Sequence, residues 1–168
     1  MRLDRTDGFV ISDDKALLDI DRVHAWLSTD TYWATGRSRR TVEKSIAGSD
    51  AYGVYGPDGA QAAFCRIVTD RATFGYLCDV YVDRAHRGRG IGKWMVGAVR
   101  DAYAPLGMRR LLLATLDAHG LYSGAGFVAL REPGLWMELP APVPGAAESV
   151  PEADRPAVRL PVDLEEPG

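Results

Sequence analysis

The chain has 168 residues, 46% of them hydrophobic, and a formal net charge of −3 at pH 7, which suits one globular domain with a substantial core. No apolar run approaches the roughly 18–20 residues of a membrane span, and no basic segment followed by an apolar one marks a secretory signal. The two cysteines, Cys65 and Cys78, lie in strand-like runs and read as buried free thiols of a reducing cytoplasm, and no Cys/His cluster at ligand spacing supports a metal site.

In chain order the pattern is mixed α/β. Residues 8–12 read as a strand and 15–28 as a helix, with Leu17, Leu18, Val23, Trp26 and Leu27 on or near one face. Residues 29–37 form a loop, and Ser38 caps a second helix reaching about Ala47. Strands at 51–55 and 60–68 are joined by the turn signal Gly-Pro-Asp-Gly. A third strand, 74–82, runs into a glycine-rich turn and a helix carrying Ile91, Trp94, Met95, Ala98, Val99, Ala102 and Tyr103 at 3.6-residue spacing. Pro105 and Gly107 end that helix. Residues 109–115 read as an apolar strand, 118–124 as a short helix, and 127–130 and 135–139 as two closing strands. The composition then changes at Pro140. Residues 140–168 hold seven of the ten prolines, no aromatic residue, and six acidic against two basic side chains. That predicts a disordered tail on a domain of residues 1–139. The domain alone has 18 basic and 17 acidic residues, which argues against a general nucleic-acid binder.

The most informative segment is Val82-Asp-Arg-Ala-His-Arg-Gly-Arg-Gly-Ile-Gly-Lys-Trp94. Gly88, Gly90 and Gly92 bare the backbone where a helix begins, so free amides can approach a ligand closely. Arg84, His86, Arg87, Arg89 and Lys93 crowd that positive helix end, an arrangement that an anion such as phosphate would relieve. It is not a P-loop, because Arg87 and Trp94 stand where Gly and Ser or Thr are needed. Nor is it a dinucleotide fingerprint, since Lys93 or Met95 takes the third glycine's place.

Arg87-x-x-Gly90-x-Gly92 resembles the Arg/Gln-x-x-Gly-x-Gly signature of the GNAT family of N-acetyltransferases, and the element order resembles that family's fold over residues 8–139. The resemblance implies a mixed, mostly antiparallel central sheet flanked by about four helices. It further implies acetyl-CoA as co-substrate, without a metal, and an amine acceptor. Arg87, Gly88, Arg89, Gly90, Ile91, Gly92 and Lys93 would hold the pyrophosphate, and backbone amides near Val80 and Val82 the pantetheine arm and acetyl carbonyl. Family members splay the strand ending at Val82 from the one starting at Arg109, which would leave those amides free.

Acetyl transfer to an amine needs a neutral amine, support for an oxyanion and a proton for the departing thiolate. Asp79 is the one residue of its apolar run that carries a charge at neutral pH, and a buried carboxylate must be paired or hydrogen-bonded. Several relatives read Leu-Glu-Asp here, with one or both acids assisting amine deprotonation; this chain reads Leu77-Cys78-Asp79. Strand alternation puts Cys78 and Asp79 on opposite faces. Asp79 is a base or amine anchor, or else the ion-pair partner of an arginine such as Arg66. Cys78 has no His partner in sequence to make it a nucleophile. Tyr122, before Gly126-Phe127, fits the family's tyrosine that faces the coenzyme sulfur, or else it is a core residue. A phenol with pKa near 10 is protonated at neutral pH and can donate. Thr115 replaces an Asn often found seven residues before that tyrosine, His119 is a proton relay or a cap, and His24 reads as structural. In the family the link between the first two helices caps the acceptor pocket. Here Tyr32, Trp33 and Arg37 would hold an aromatic or acidic acceptor there, or Trp33 would simply seal the helix pair.

The expected activity is direct acetyl transfer in a ternary complex in the cytoplasm, without nucleic acid or membrane as partner. Many family members dimerise, but no stretch of this chain establishes a homodimer. The rival from another class is a non-catalytic acyl-CoA sensor or assembly module. A binder of nucleic acid or phosphoprotein through the Arg-Gly turn is a third reading, one that predicts steep salt dependence.

Overall fold

The computed structural model describes residues 1–139, and the tail expected from Pro140 onward lies outside the described residues. Six strands form one sheet: β1 (Arg2–Asp4), β2 (Val10–Ser12), β3 (Asp50–Tyr55), β4 (Gln61–Thr69), β5 (Phe74–Val82) and β6 (Arg110–Leu112). Each strand pairs with the next, antiparallel from β1 to β5 and parallel between β5 and β6. The helices are α1 (Ile20–Asp30), α2 (Arg39–Ala47), α3 (Ile91–Tyr103) and α4 (His119–Ser123). None is long and apolar enough to cross a membrane.

Local chemistry explains most boundaries. The Ser38 hydroxyl accepts from the Thr41 amide and opens α2 where the sequence predicts. The first predicted helix is divided. Asp14 caps a single 3-10 turn over Lys15–Leu17, the chain extends at Leu18, and Asp19 caps α1 by accepting from the Arg22 amide. Two capping aspartates five residues apart start two elements, and Leu17 is left exposed. Gly90 precedes α3 in the left-handed conformation with no side-chain cap, so the first amides of α3 have no partner within the helix.

The sheet carries a layer on each face. Ile91, Met95, Val99 and Tyr122 of α3 and α4 pack with Ala63, Cys65, Ile67 and Leu77. Val23, Leu27, Val42 and Ile46 of α1 and α2 pack with Ala51, Phe64 and Tyr81 on the other. Leu77 and Tyr81 share strand parity yet lie in different layers. The cause is a bulge: Phe64 opposes Tyr81 and Arg66 opposes Cys78, so β5 holds one residue more than β4 between these pairs. Asp79 absorbs it at φ 52, a conformation Asp tolerates better than most residues. Expected alternation therefore fails here. Cys78 faces Arg66 across the ladder, and the Asp79 carboxylate also reaches Arg66 on that same face.

The closing strands are a second difference. The compact unit holding the sheet spans Met1–Val128, and the residues from Ala129 belong to another unit. Neither 127–130 nor 135–139 is a strand. Within the second unit the Pro-Gly pair makes a 3-10 turn, Pro133–Leu135, closed by a bond from the Trp136 amide to the Pro133 carbonyl. An alternating run becomes a strand only when a neighbour supplies its ladder. Among the described residues β6 is three residues long and pairs with β5 alone.

Candidate active site

β5 and β6 touch only where Phe74–Tyr76 meets Arg110–Leu112. Beyond Tyr76 no strand among the described residues lies along that edge of β5, as the expected splay requires. A cavity of about 970 Å³ opens there, lined by residues of β4, β5, the α1–α2 link, the start of α3 and α4. Val80, Val82, Arg87, Gly92, Tyr122, Asp79, Tyr32, Trp33 and Arg37 all line it. Gly88, Arg89, Gly90, Ile91 and Lys93 do not.

The glycine turn is open. Gly88 and Gly90 have φ of +74 and +72, and a Cβ built on either would meet nothing within 4 Å. At Gly92 an added Cβ would come within 3.4 Å of a Val82 methyl. The basic side chains are dispersed rather than crowded at the helix start. Arg84 ion-pairs with Asp30, which also accepts from the Tyr81 hydroxyl and lies 3.4 Å from Arg87. Arg84 first, then Tyr81, hold the Asp30 carboxyl down to about 2. Arg87 turns back, its Nε donating to the Val82 carbonyl at 3.0 Å and its guanidinium lying over the Tyr81 ring. Arg89 lies over Phe9, His86 meets that ring edge-on, and Lys93 is exposed. Ile91 is a core side chain and can offer a ligand only its backbone. What remains at the start of α3 is chiefly amide N–H, with Arg87 the one basic residue of these five lining the cavity.

Tyr122 is buried between the α3 layer and the cavity, its ring 6.0 Å from that of Phe127. Burial pushes its phenol up to about 12, so it stays protonated through the neutral range. Cys78 lines the cavity, and burial pushes its thiol up to about 11; a neutral thiol is a poor nucleophile. Cys65 is buried and pushed higher still. His119 is exposed, and the Thr115 hydroxyl accepts from the Ala118 amide at the start of α4.

The other end of the cavity is charged. Arg66 Nε donates to Asp79 Oδ2 at 2.6 Å and Arg37 Nη1 to the same oxygen at 2.7 Å. The Asp79 side chain is only 3% exposed. The link carrying Arg37 is pinned at two points. His24 bonds the Arg37 carbonyl at 3.1 Å, and the Tyr32 hydroxyl accepts from the Leu116 amide at 3.0 Å, tying this link to the loop after β6. Tyr32 and Trp33 meet edge to face, ring centroids 4.9 Å apart, and both are exposed. Arg66 and Asp30 are charged cavity residues that sequence reasoning does not place at the site. Arg66 signals itself only as a lone charge in the apolar run Gln61–Thr69. Asp30 carries no local signal.

Comparisons with known proteins identify the family and the fold. The model of the acetyltransferase (GNAT) family matches residues 20–127. A Gibberella zeae protein provisionally named acetyltransferase FG08082 is 32% identical over 133 residues, covering 68% of this chain and 75% of its own. A crystal structure from Xanthomonas campestris pv. campestris, provisionally an acetyltransferase of the GNAT family, is 43% identical with a TM-score of 0.75. It covers 80% of this chain and 94% of its own. The Mycobacterium tuberculosis protein Rv2747, crystallised with CoA, shares the fold at 17% identity, a TM-score of 0.61 and 72% coverage of each chain.

Proposed function

Because the chain belongs to the GNAT family of acetyltransferases, we propose that it moves the acetyl group of acetyl-CoA directly onto an amine in a ternary complex within this cavity. The observation that carries the reading is a conjunction. The uncapped, glycine-led start of α3 adjoins the part of the β5 edge beyond Tyr76 that has no strand partner among the described residues, and one cavity takes in Val80, Val82, Gly92 and Tyr122. Crystallisation of the fold neighbour Rv2747 with CoA is in keeping with it.

In this reading the amides from Gly88 to Lys93 take the pyrophosphate, where the helix dipole favours negative charge. Backbone groups near Val80 and Val82 hold the pantetheine arm and polarise the thioester carbonyl. The acceptor nitrogen bonds to the carbonyl carbon, and the carbon–sulfur bond breaks. Tyr122 Oη–H protonates the departing thiolate. A water takes the proton lost by the amine. Asp79 is the less suitable base, because protonating it would undo two ion pairs on one oxygen. A thioester donor of this kind suits a cytoplasmic enzyme.

The test is CoA thiol release with an amine library, products read by mass spectrometry. Turnover of any amine with release of one thiol per acetyl supports transfer. Donor binding without turnover across the library would make the chain a sensor or assembly module.

A further inference from the structure

Arg37 and Arg66 both donate to Asp79 Oδ2, so two cations share one anion. Each guanidinium has five N–H donors, and the only hydrogen bond of either, among the described residues, goes to Asp79. Both line the cavity with side chains only 21% and 13% exposed, so the remaining donors are poorly solvated. The cavity's other charges are engaged or distant from this pair. Asp30 pairs with both Arg84 and Arg87, while Asp117 acts on Tyr122 at the α4 end. Among the described residues, one positive charge is therefore left uncompensated beside the bulge.

We infer that this excess charge binds a carboxylate on the acceptor, so that the enzyme acetylates small amines carrying a carboxylate. The inference rests on the acetyl-transfer reading for assigning this half of the cavity to the acceptor. Arg66 stands opposite Cys78 while Val82, at the glycine-turn end, stands opposite Ala63, so Arg66 lies three β4 residues, roughly 10 Å, back from the glycine turn that would serve the donor's pyrophosphate. A guanidinium fork matches the planar, singly charged carboxylate, which cancels the excess without overshooting it. Asp79 is then a positioning residue. It holds the two cations at one point, and Cys78 and Tyr76 lie beside them on the same wall. Tyr32, Trp33 and Val68 supply apolar surface for the rest of the acceptor.

The test uses matched amines: ethanolamine, β-alanine and O-phosphoethanolamine as one set, phenethylamine and phenylalanine as another. CoA release at saturating acetyl-CoA gives kcat/KM, and calorimetry on the CoA-loaded protein gives Kd. The carboxylate member of a set should be favoured at least tenfold, because a site built for a polar group rejects analogues lacking it. That ratio should fall towards one in Arg37→Gln and be partly restored in Arg37→Lys, both checked for an unchanged circular dichroism spectrum. Arg66→Gln provides an independent second variant. A neutral member that binds and reacts equally well, a preferred phosphate member, or a carboxylate preference undiminished by both glutamine variants would overturn the inference. Acetylation of neutral amines alone would sink it and leave acetyl transfer standing. Arginine-dependent carboxylate binding with no acetylation of any amine would do the reverse.

Discussion

Tyr122 and Asp79 are both buried at the cavity, and their surroundings prepare them for different work. Tyr122 is held neutral by burial and has no hydrogen-bond partner for its hydroxyl among the described residues. Tyr122→Phe should therefore cost little stability. As the proposed general acid its loss should lower kcat by about 10²–10⁴-fold, roughly 3–5 kcal/mol of transition-state stabilisation, with donor Kd nearly unchanged. Because its phenol is pushed up to about 12, its ionisation should leave the rate flat up to about pH 10. Turnover by Tyr122→Phe near the wild-type kcat would return the residue to the core. Asp79→Asn should show a different signature. It leaves two guanidinium groups facing a neutral amide at a site only 3% exposed, costing on the order of 3 kcal/mol in chemical denaturation. With water as the base, its low-pH rate limb should match the wild type. A limb that moves in Asp79→Asn would restore Asp79 as the base.

Two glycines, one just before α3 and one inside it, make opposite predictions for that helix. Gly90 sits at φ +72 ahead of the first turn, with open space where a Cβ would go. Gly90→Val would strain that conformation by about 1–2 kcal/mol and place a branched side chain where the ligand must approach. Calorimetry should find CoA binding largely lost while circular dichroism reports a folded protein; undiminished binding would exclude this turn as the site. Gly97 lies mid-helix with no neighbour within 4 Å of a built Cβ and no positive φ. Gly97→Ala should stabilise by about 0.5–1 kcal/mol and leave CoA affinity alone. The bulge in β5 works at this same scale. One extra residue moves Tyr81 into the α1–α2 layer, leaves Val80 and Val82 packed towards α3, and brings Asp79 to the arginines. An element's irregularity, more than its regular part, sets the cavity wall.

At the scale of the whole molecule, Tyr55, Tyr81 and Tyr122 are each pushed up to about 12, burial being the first cause in every case. Between pH 10 and 12 an unfolded chain has released protons that these folded phenols still hold, so stability falls as pH rises through that window. Below about pH 10 the contribution is fully present. The Cys78 thiol, pushed up to about 11, and the Cys65 thiol, pushed higher, act in the same sense from about pH 9, so melting midpoints should begin to fall there and drop further above pH 10 in step with phenolate absorbance; a steady midpoint to pH 12 would contradict it. Asp30, held down to about 2, works in the opposite sense and loses its contribution as pH falls from 3.8. What the sequence determined by itself was whatever neighbouring residues settle among themselves. Ser38 opened α2 with its side-chain cap and Gly90 opened α3 with its left-handed backbone, the apolar spacing of α3 faced the sheet, and the glycine turn ended β5. The tertiary structure alone decided the features that depend on distant partners. A bulge is a mismatch between two strands, so alternation within β5 could not reveal that Cys78 and Asp79 share a face. Arg37 and Arg66 come from a loop and a strand, and only folding brings both onto Asp79. The basic residues before α3 scattered chiefly because Asp30 and the Phe9 ring, remote in sequence, hold Arg84 and Arg89, while Arg87 turns back over the nearby Tyr81 ring. The runs at 127–130 and 135–139 had the pattern of strands but no ladder neighbour, and a strand exists only through the backbone bonds of its partner.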